Sequence, residues 1–389
     1  MNNNLTAPSA FTDTKPHYAL LDGLRGVAAL LVVWYHVFEG FQFASGASVI
    51  TYMNHGYLAV DFFFILSGFV IGYAYDDRWR TTLTLGGFFK RRLVRLHPMV
   101  IMGAVIGLVM FYAQGGVQWD GTRVATSAAM LALLCAMFFI PAVPGGAWEV
   151  RGNGEMFPLN GPAWSLFFEY IGNIVYALLL RRLSTRVLGG LCVVLSVALA
   201  WFTLADVCGY GMFGVGWTLD GINFWGGLLR MLCPFTIGMW LSRVFRPVRV
   251  RGAFWLCTMV LVALFHVPYL GPVSVALNGA FETACIVLVF PLLVWLGASG
   301  TTTDRRSTQV CNFLGDISFP LYIVHYPFMY FFYAWLIRTE QYTLRETWPA
   351  ALLTCAVSIL VAWLCLRLYD LPVRRWLARR WLKQTARKG

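Results

Sequence analysis

Apolar runs of membrane-spanning length recur along the whole chain, separated by short basic or Gly/Pro-rich links. About 20 apolar residues cross the ~30 Å hydrocarbon core as a helix, and inside lipid the backbone must satisfy its own hydrogen bonds. Candidate spans fall at 19–38, 56–75, 97–113, 124–141, 162–181, 187–206, 223–243, 252–270, 280–298, 312–336 and 348–369. Of 389 residues, 59% are apolar and only 12% are charged. A soluble domain carries roughly 25% charged residues. The chain therefore reads as an all-α polytopic membrane protein, not a soluble domain with an anchor.

The link 76–96 holds Arg78, Arg80, Lys90, Arg91, Arg92 and Arg95, which the positive-inside rule places in the cytoplasm. Basic segments at Arg181–Arg186, Arg243–Arg251 and Arg305–Arg306, and the basic end of the chain, belong on the same side. Eleven crossings cannot put both termini there. If 124–141 does not cross fully, ten helices remain and every basic segment falls inside. The stretch 114–160 is then re-entrant or amphipathic, a form tolerated where protein encloses a cavity. The expected organisation is a polar tail over 1–17 without a processed leader, a membrane domain over 18–370 and a basic cytoplasmic tail over 371–389. The net charge of +12 points to topology and anionic lipid as partners rather than nucleic acid. Nine scattered cysteines, none in a Cys-x-x-Cys pair, read as small membrane-helix residues and not as a disulfide framework or a metal site.

The first run carries chemistry. Arg25 and His36 are eleven positions apart, within ~20° of three full helical turns, so both leave one face of the helix roughly 16 Å apart along its axis. Asp22 is i,i+3 to Arg25 and close enough to pair with it. Ionisable groups inside a membrane helix are costly and are functional candidates by default. Asp61, beside a phenylalanine cluster, needs a partner: His36 or Arg25, unless it is solvated at the interface. Ser67 and Gly68 after it suit close helix packing. Arg92 and Arg95 share a helix face and can hold phosphate by paired hydrogen bonds, or flank the membrane against lipid headgroups. Ser165 and Glu169 are i,i+4, with Trp164 beside them. They line a polar substrate path, or Glu169 is the counter-ion of a distant arginine. Ser318, Tyr322 and His325 make one polar stripe. His325 contacts substrate, positions His36, or is satisfied structurally beside a proline kink.

These blocks together resemble the acyltransferase 3 family of bacterial integral-membrane acyltransferases. The resemblance rests on Arg25 and His36 with ten residues between them and on Val60-Asp61-Phe62-Phe63-Phe64-Ile65-Leu66-Ser67-Gly68-Phe69. It rests also on Arg92-x-x-Arg95, Pro162-Ala163-Trp164-Ser165-Leu166 with Glu169, and Gly315-Asp316-Ile317-Ser318-Phe319-Pro320-Leu321-Tyr322 with His325. It covers nearly the whole chain and implies the stand-alone form. Asp370 stands where the family's last helix leads one to expect glutamate. The resemblance implies O-acylation, usually O-acetylation, of a carbohydrate or glycolipid, with acetyl-CoA as cytoplasmic co-substrate and no tightly bound cofactor. The location it implies is the bacterial inner membrane, with both termini cytoplasmic. The oligomeric state, a homo-oligomer included, is left open.

On that reading His36 is the general base or the acyl carrier, a task suited to imidazole with its ordinary pKa of about 6.5. Asp61 orients the imidazole or stabilises its charged form. Arg25 pairs with Asp22 or steers the donor, and Arg92 and Arg95 hold the coenzyme phosphates. Trp164, Ser165, Glu169, Tyr322 and His325 are candidate acceptor-side residues. The rival expectation is a transporter or flippase for a lipid-linked sugar or acylated small molecule, which also wants charges near the midplane.

Overall fold

The computed structural model describes residues 18–46, 53–248, 250–300 and 305–382. The expected polar tail 1–17 and residues 383–389 of the expected basic tail lie outside them. The described residues are helical apart from loops and contain no β-strand. In order come α1 (Ala19–Ser45), α2 (Ala59–Tyr75), α3 (Leu85–Ala113), α4 (Thr126–Met137), α5 (Ala163–Leu178), α6 (Thr185–Leu204) and α7 (Gly221–Val244). Then follow α8 (Ala253–Phe265), α9 (Val275–Ala284), α10 (Phe290–Ser299), α11 (Arg305–Thr339), α12 (Leu344–Cys365) and α13 (Leu371–Trp381). Single π-turns at Cys285–Val289 and Leu366–Asp370 join α9 to α10 and α12 to α13 into two longer rods. Residues 371–381 thus extend a helix, with Arg374 bonded to Asp370 at 3.0 Å.

Polar residues set the helix starts. The side chains of Thr84, Ser184, Asp220 and Ser274 each accept a hydrogen bond from a first-turn N–H, satisfying donors that a helix cannot pair internally. Eight helical stretches among the described residues are long and apolar enough to cross a membrane. At ~1.5 Å per residue, the 12-residue α4 reaches only about 18 Å and falls short of the hydrocarbon thickness. Irregular chain, folded back on the bundle, fills residues 138–162 after it. The 13-residue α8 is also shorter than the span 252–270 read from the sequence. Conversely, α11 has 35 residues but carries the polar stripe within it.

In lipid, apolar area alone does not drive helices together, so close backbone approach does the specifying. Helix α1 lies along α11, and α2 along α7. At the second crossing, Gly68 of α2 faces the Phe235 carbonyl and Gly238 of α7 faces the Ile65 carbonyl, with no room for a Cβ at either place. At the first, Gly26 sits against the Leu314 carbonyl and Gly315 against Asp22.

Gly238→Ala should force α2 and α7 apart and cost about 1–3 kcal/mol through overpacking. Gly190→Ala, in an open stretch of α6, should be neutral or stabilising by up to about 1 kcal/mol. Thermal unfolding of the two detergent-purified variants checks the contrast, and equal midpoints would contradict it.

Candidate active site

Two cavities lie inside the bundle. The smaller, about 110 Å³, is lined by Asp22, Arg25, Arg92, Arg95, Ser165 and Glu169, among apolar neighbours. The larger, about 480 Å³, is aromatic and contains His36, Glu39, Trp164 and Arg230 in its wall. Val60 and Tyr322 line both, so these two side chains form the partition.

Helix α1 serves both cavities. Arg25 turns toward α11, donating to Ser318 Oγ at 2.8 Å and to the Gly315 carbonyl at 3.2 Å, and it pairs with Asp22 at 3.0 Å. Three turns on, His36 stacks on His325 of the same helix, with ring centroids 5.2 Å apart. The common face expected from the eleven-residue spacing is the face against α11.

The expectation that Asp61 orients His36 is corrected by the structure. Glu39, one turn further along α1, holds that place: its Oε2 lies 2.6 Å from His36 Nδ1 and accepts from Tyr333 at 2.9 Å and Tyr326 at 3.1 Å. A carboxylate only accepts, so Nδ1 is the donor in this contact and Nε2 is the ring nitrogen left over. Asp61 instead faces α7, fully buried, where Arg230 reaches it at 3.0 Å through Nη2 and 3.1 Å through Nε. Arg230 also donates to the Tyr57 and Val215 carbonyls and lies over Trp164. Neither His36 nor Arg25 is bonded to Asp61, because the α2–α7 crossing turns that face of α2 away from α1.

Glu169 is the counter-ion of a distant arginine: Arg92 Nη2 donates to it at 2.6 Å and Ser67 at 2.9 Å. Gly68 has the packing role expected of it, whereas Ser67 is drawn into this polar group. Arg95, half-buried on the same cavity, makes no hydrogen bond or ion pair to another side chain among the described residues. The α5 trio divides. Ser165 and Glu169 face the arginine-lined cavity, while Trp164, about 100° around the helix from Ser165, faces the aromatic one. Tyr322 is bonded to Ser165 at 2.6 Å, and His325 bonds the Leu321 carbonyl through Nδ1 at 3.0 Å.

The family described as an acyltransferase domain, acyltransferase 3, matches residues 18–367. The chain belongs to this family. By that membership it is an acyltransferase, and eight helical stretches suit it to a membrane. The acyltransferase MdmB of Streptomyces mycarofaciens is 26% identical, over 92% of this chain and 92% of its own length. The peptidoglycan O-acetyltransferase OatA of Listeria monocytogenes is 25% identical over 91% of this chain, which spans 55% of that relative. A Rhizobium radiobacter protein known as protein 2 in the picA locus is 36% identical over 48% of this chain and 96% of its own length. No solved structure matches.

Sequence reading missed Glu39, Arg230, Glu155 and Glu282, the last buried where its Oε1 accepts from the Tyr57 hydroxyl and from the Phe213 N–H at 2.7 Å. Glu39 stands three residues after His36, a helical neighbour spacing that would have found it. Arg230 and Glu282 are isolated charges inside the candidate spans 223–243 and 280–298, the signal that marks a buried partner. Glu155 lies in irregular chain, and no periodicity announces it.

Removing one member of a buried pair strands the other charge, at a cost of about 3–5 kcal/mol. Asp61→Leu should therefore unfold well below the wild-type midpoint, and Arg230→Met likewise. The double variant should be more stable than either single one, because no charge is left alone. Thermal unfolding of the three variants in detergent tests this; additive losses would refute the pairing.

Proposed function

We propose that the protein moves an acyl group, acetyl first among them, from cytoplasmic acyl-CoA to a hydroxyl of a carbohydrate or glycolipid. The observation that carries this reading is the division of labour along α1. One end presents a guanidinium to an arginine-lined cavity, and the other presents an imidazole–carboxylate pair to an aromatic cavity. The donor's phosphates are served by Arg95, with Arg25 and Arg92 beside it, since guanidinium matches phosphate in paired hydrogen bonds. The acceptor is served by aromatic faces around His36.

In the reaction, His36 Nε2 takes the hydroxyl proton as the hydroxyl oxygen bonds to the thioester carbon. The carbon–sulfur bond then breaks, and the proton passes to the departing thiolate, releasing coenzyme A as thiol. Glu39 holds the imidazole tautomer and steadies the imidazolium that forms, the part Asp61 was expected to play. Alternatively Nε2 bonds to the thioester carbon as the carbon–sulfur bond breaks and the thiolate leaves; the hydroxyl oxygen then takes the acyl group from Nε2, and its proton goes to the thiolate. Asp61 and Arg230 act as a structural pair, with Arg230 in the wall of the acceptor cavity and Asp61 behind it. Tyr322, which lines both cavities, and His325, stacked on His36, position the reacting groups.

The arginine-lined cavity faces the cytoplasm, because the link carrying Arg78, Arg80, Lys90 and Arg91 joins α2 to α3 at that end. Ten crossings follow if α11, and α8 with its flanking residues, join the eight apolar spans and α4 stays partly inserted; both termini are then on the cytoplasmic side of the bacterial inner membrane. The Listeria relative is named for peptidoglycan. A surface glycan, an exopolysaccharide, an O-antigen or a lipid-linked sugar is the acceptor class.

With purified protein in lipid nanodiscs and radiolabelled acetyl-CoA, His36→Ala should abolish transfer at normal expression. Glu39→Gln should lower kcat by about 10²–10⁴-fold. Transfer by His36→Ala near the wild-type rate would refute the assignment, and no acetyl-CoA turnover by the wild type would favour a transporter. Arg95→Ala should raise KM for acetyl-CoA about tenfold or more, the loss of a charge-assisted phosphate contact, while kcat stays. An unchanged coenzyme dependence would leave Arg95 with a topological role only.

A further inference from the structure

The two cavities meet at one place. Val60 of α2 and Tyr322 of α11 line both, and no other side chain among the described residues does. Helix α11 sets this place between the two working ends of α1. Four residues before Tyr322, Ser318 accepts from Arg25; three residues after it, His325 stacks on His36. A donor held by its phosphates at Arg25, Arg92 and Arg95 thus presents a thioester to His36 by passing between Val60 and Tyr322, with its acyl group leading. Both sides of that passage are stiff. Valine has one side-chain torsion, and a helix leaves it essentially one rotamer. Val60 is 6% exposed and Tyr322 7%. The Tyr322 hydroxyl is tied to Ser165 at 2.6 Å and to the Pro162 carbonyl at 3.3 Å, and its ring meets Phe63 edge-on with centroids 5.3 Å apart. Ser165 is itself anchored, donating to the same Pro162 carbonyl at 3.0 Å. Beyond the passage the larger cavity, about 480 Å³, runs on to a wall that holds Trp119, Asn153 and Glu155.

A narrow, rigid opening in front of a larger chamber sorts what enters by its cross-section. A flat thioester followed by methylenes keeps one cross-section however many methylenes follow. A quaternary carbon adds methyl groups sideways, and closely packed side chains do not yield to an added methyl without cost. We propose that Val60 and Tyr322 form a neck that selects the donor's acyl group by width and not by length. Unbranched short-chain acyl groups pass it, and groups branched beside the thioester carbon do not. The proposal rests on the donor reading given above and is independent of which acceptor is used. Val60 and Tyr322 are specificity residues here: they decide which thioester reaches His36.

The test uses the full chain in nanodiscs and two isomeric thioethers, S-pentyl-coenzyme A and S-neopentyl-coenzyme A, with dissociation constants read by isothermal titration calorimetry. Thioethers are not turned over, so the slower chemistry of branched thioesters does not enter, and the isomers carry the same number of carbons. The S-pentyl compound should bind tenfold or more tightly, the discrimination a close-fitting apolar site makes for a methyl-sized group. Val60→Ala should bring the ratio of the two constants to within about threefold of one. Val60→Ile, which narrows the neck, should weaken S-pentyl binding tenfold or more. A residue that serves packing alone would shift both isomers alike and leave the ratio at its wild-type value. That result in both variants, or equal binding of the isomers by the wild type, would overturn the neck and leave the donor reading standing. Binding of neither isomer by a wild type that turns over acetyl-CoA would likewise overturn the neck alone. Binding of neither, with no acetyl-CoA turnover, would overturn the donor reading and the neck with it.

Discussion

A charge inside a hydrocarbon layer must meet an opposite charge or a set of hydrogen bonds, and this bundle is arranged around that demand. Asp61 and Arg230 meet fully buried between α2 and α7, and Arg92 and Glu169 meet between α3 and α5. Each pair ties together helices that are distant in sequence. Lipid tails are as apolar as leucine, so burial of apolar side chains cannot by itself choose which helix face meets which. The ion pairs and the glycine contacts at Gly68, Gly238, Gly26 and Gly315 make that choice. Such pairs contribute more to specificity of packing than to net stability, since desolvation offsets much of the Coulombic gain.

The same economy shapes the site. Helix α1 supplies its own partners, Asp22 for Arg25 and Glu39 for His36, within one turn each. Arg25 and His36 are held by local geometry as well as by α11 packed against them. Helix α11 answers with Ser318, Tyr322 and His325 on one stripe. Tyr322, tethered to Ser165 of α5, then stands between the cavity lined by arginines and the one with aromatic walls.

Much of the fold and part of the site were legible in the residues themselves. Span length and hydropathy marked the helices, and charge bookkeeping singled out 124–141, where the helix α4 has 12 residues. The register of Arg25 with His36, the stripe through His325 and the small-residue crossing at Gly68 follow from the 3.6-residue period. That period is a local property of the backbone. Glu39 obeys the same period and lay within reach of it.

Partner identity was not legible in this way. Asp61 demanded a cation, yet which cation depended on how α2 and α7 cross, and Arg230 lies 169 residues away. The separation of Trp164 from Ser165 and Glu169 became meaningful only once two cavities existed for them to face. Glu155 and Asn153 were invisible because irregular chain has no periodicity and is placed by the bundle it folds against. The sequence by itself determined which segments are helices, which face of each is polar and where charge would be found. Only the tertiary structure decided which faces meet, because that depends on contacts between segments far apart along the chain.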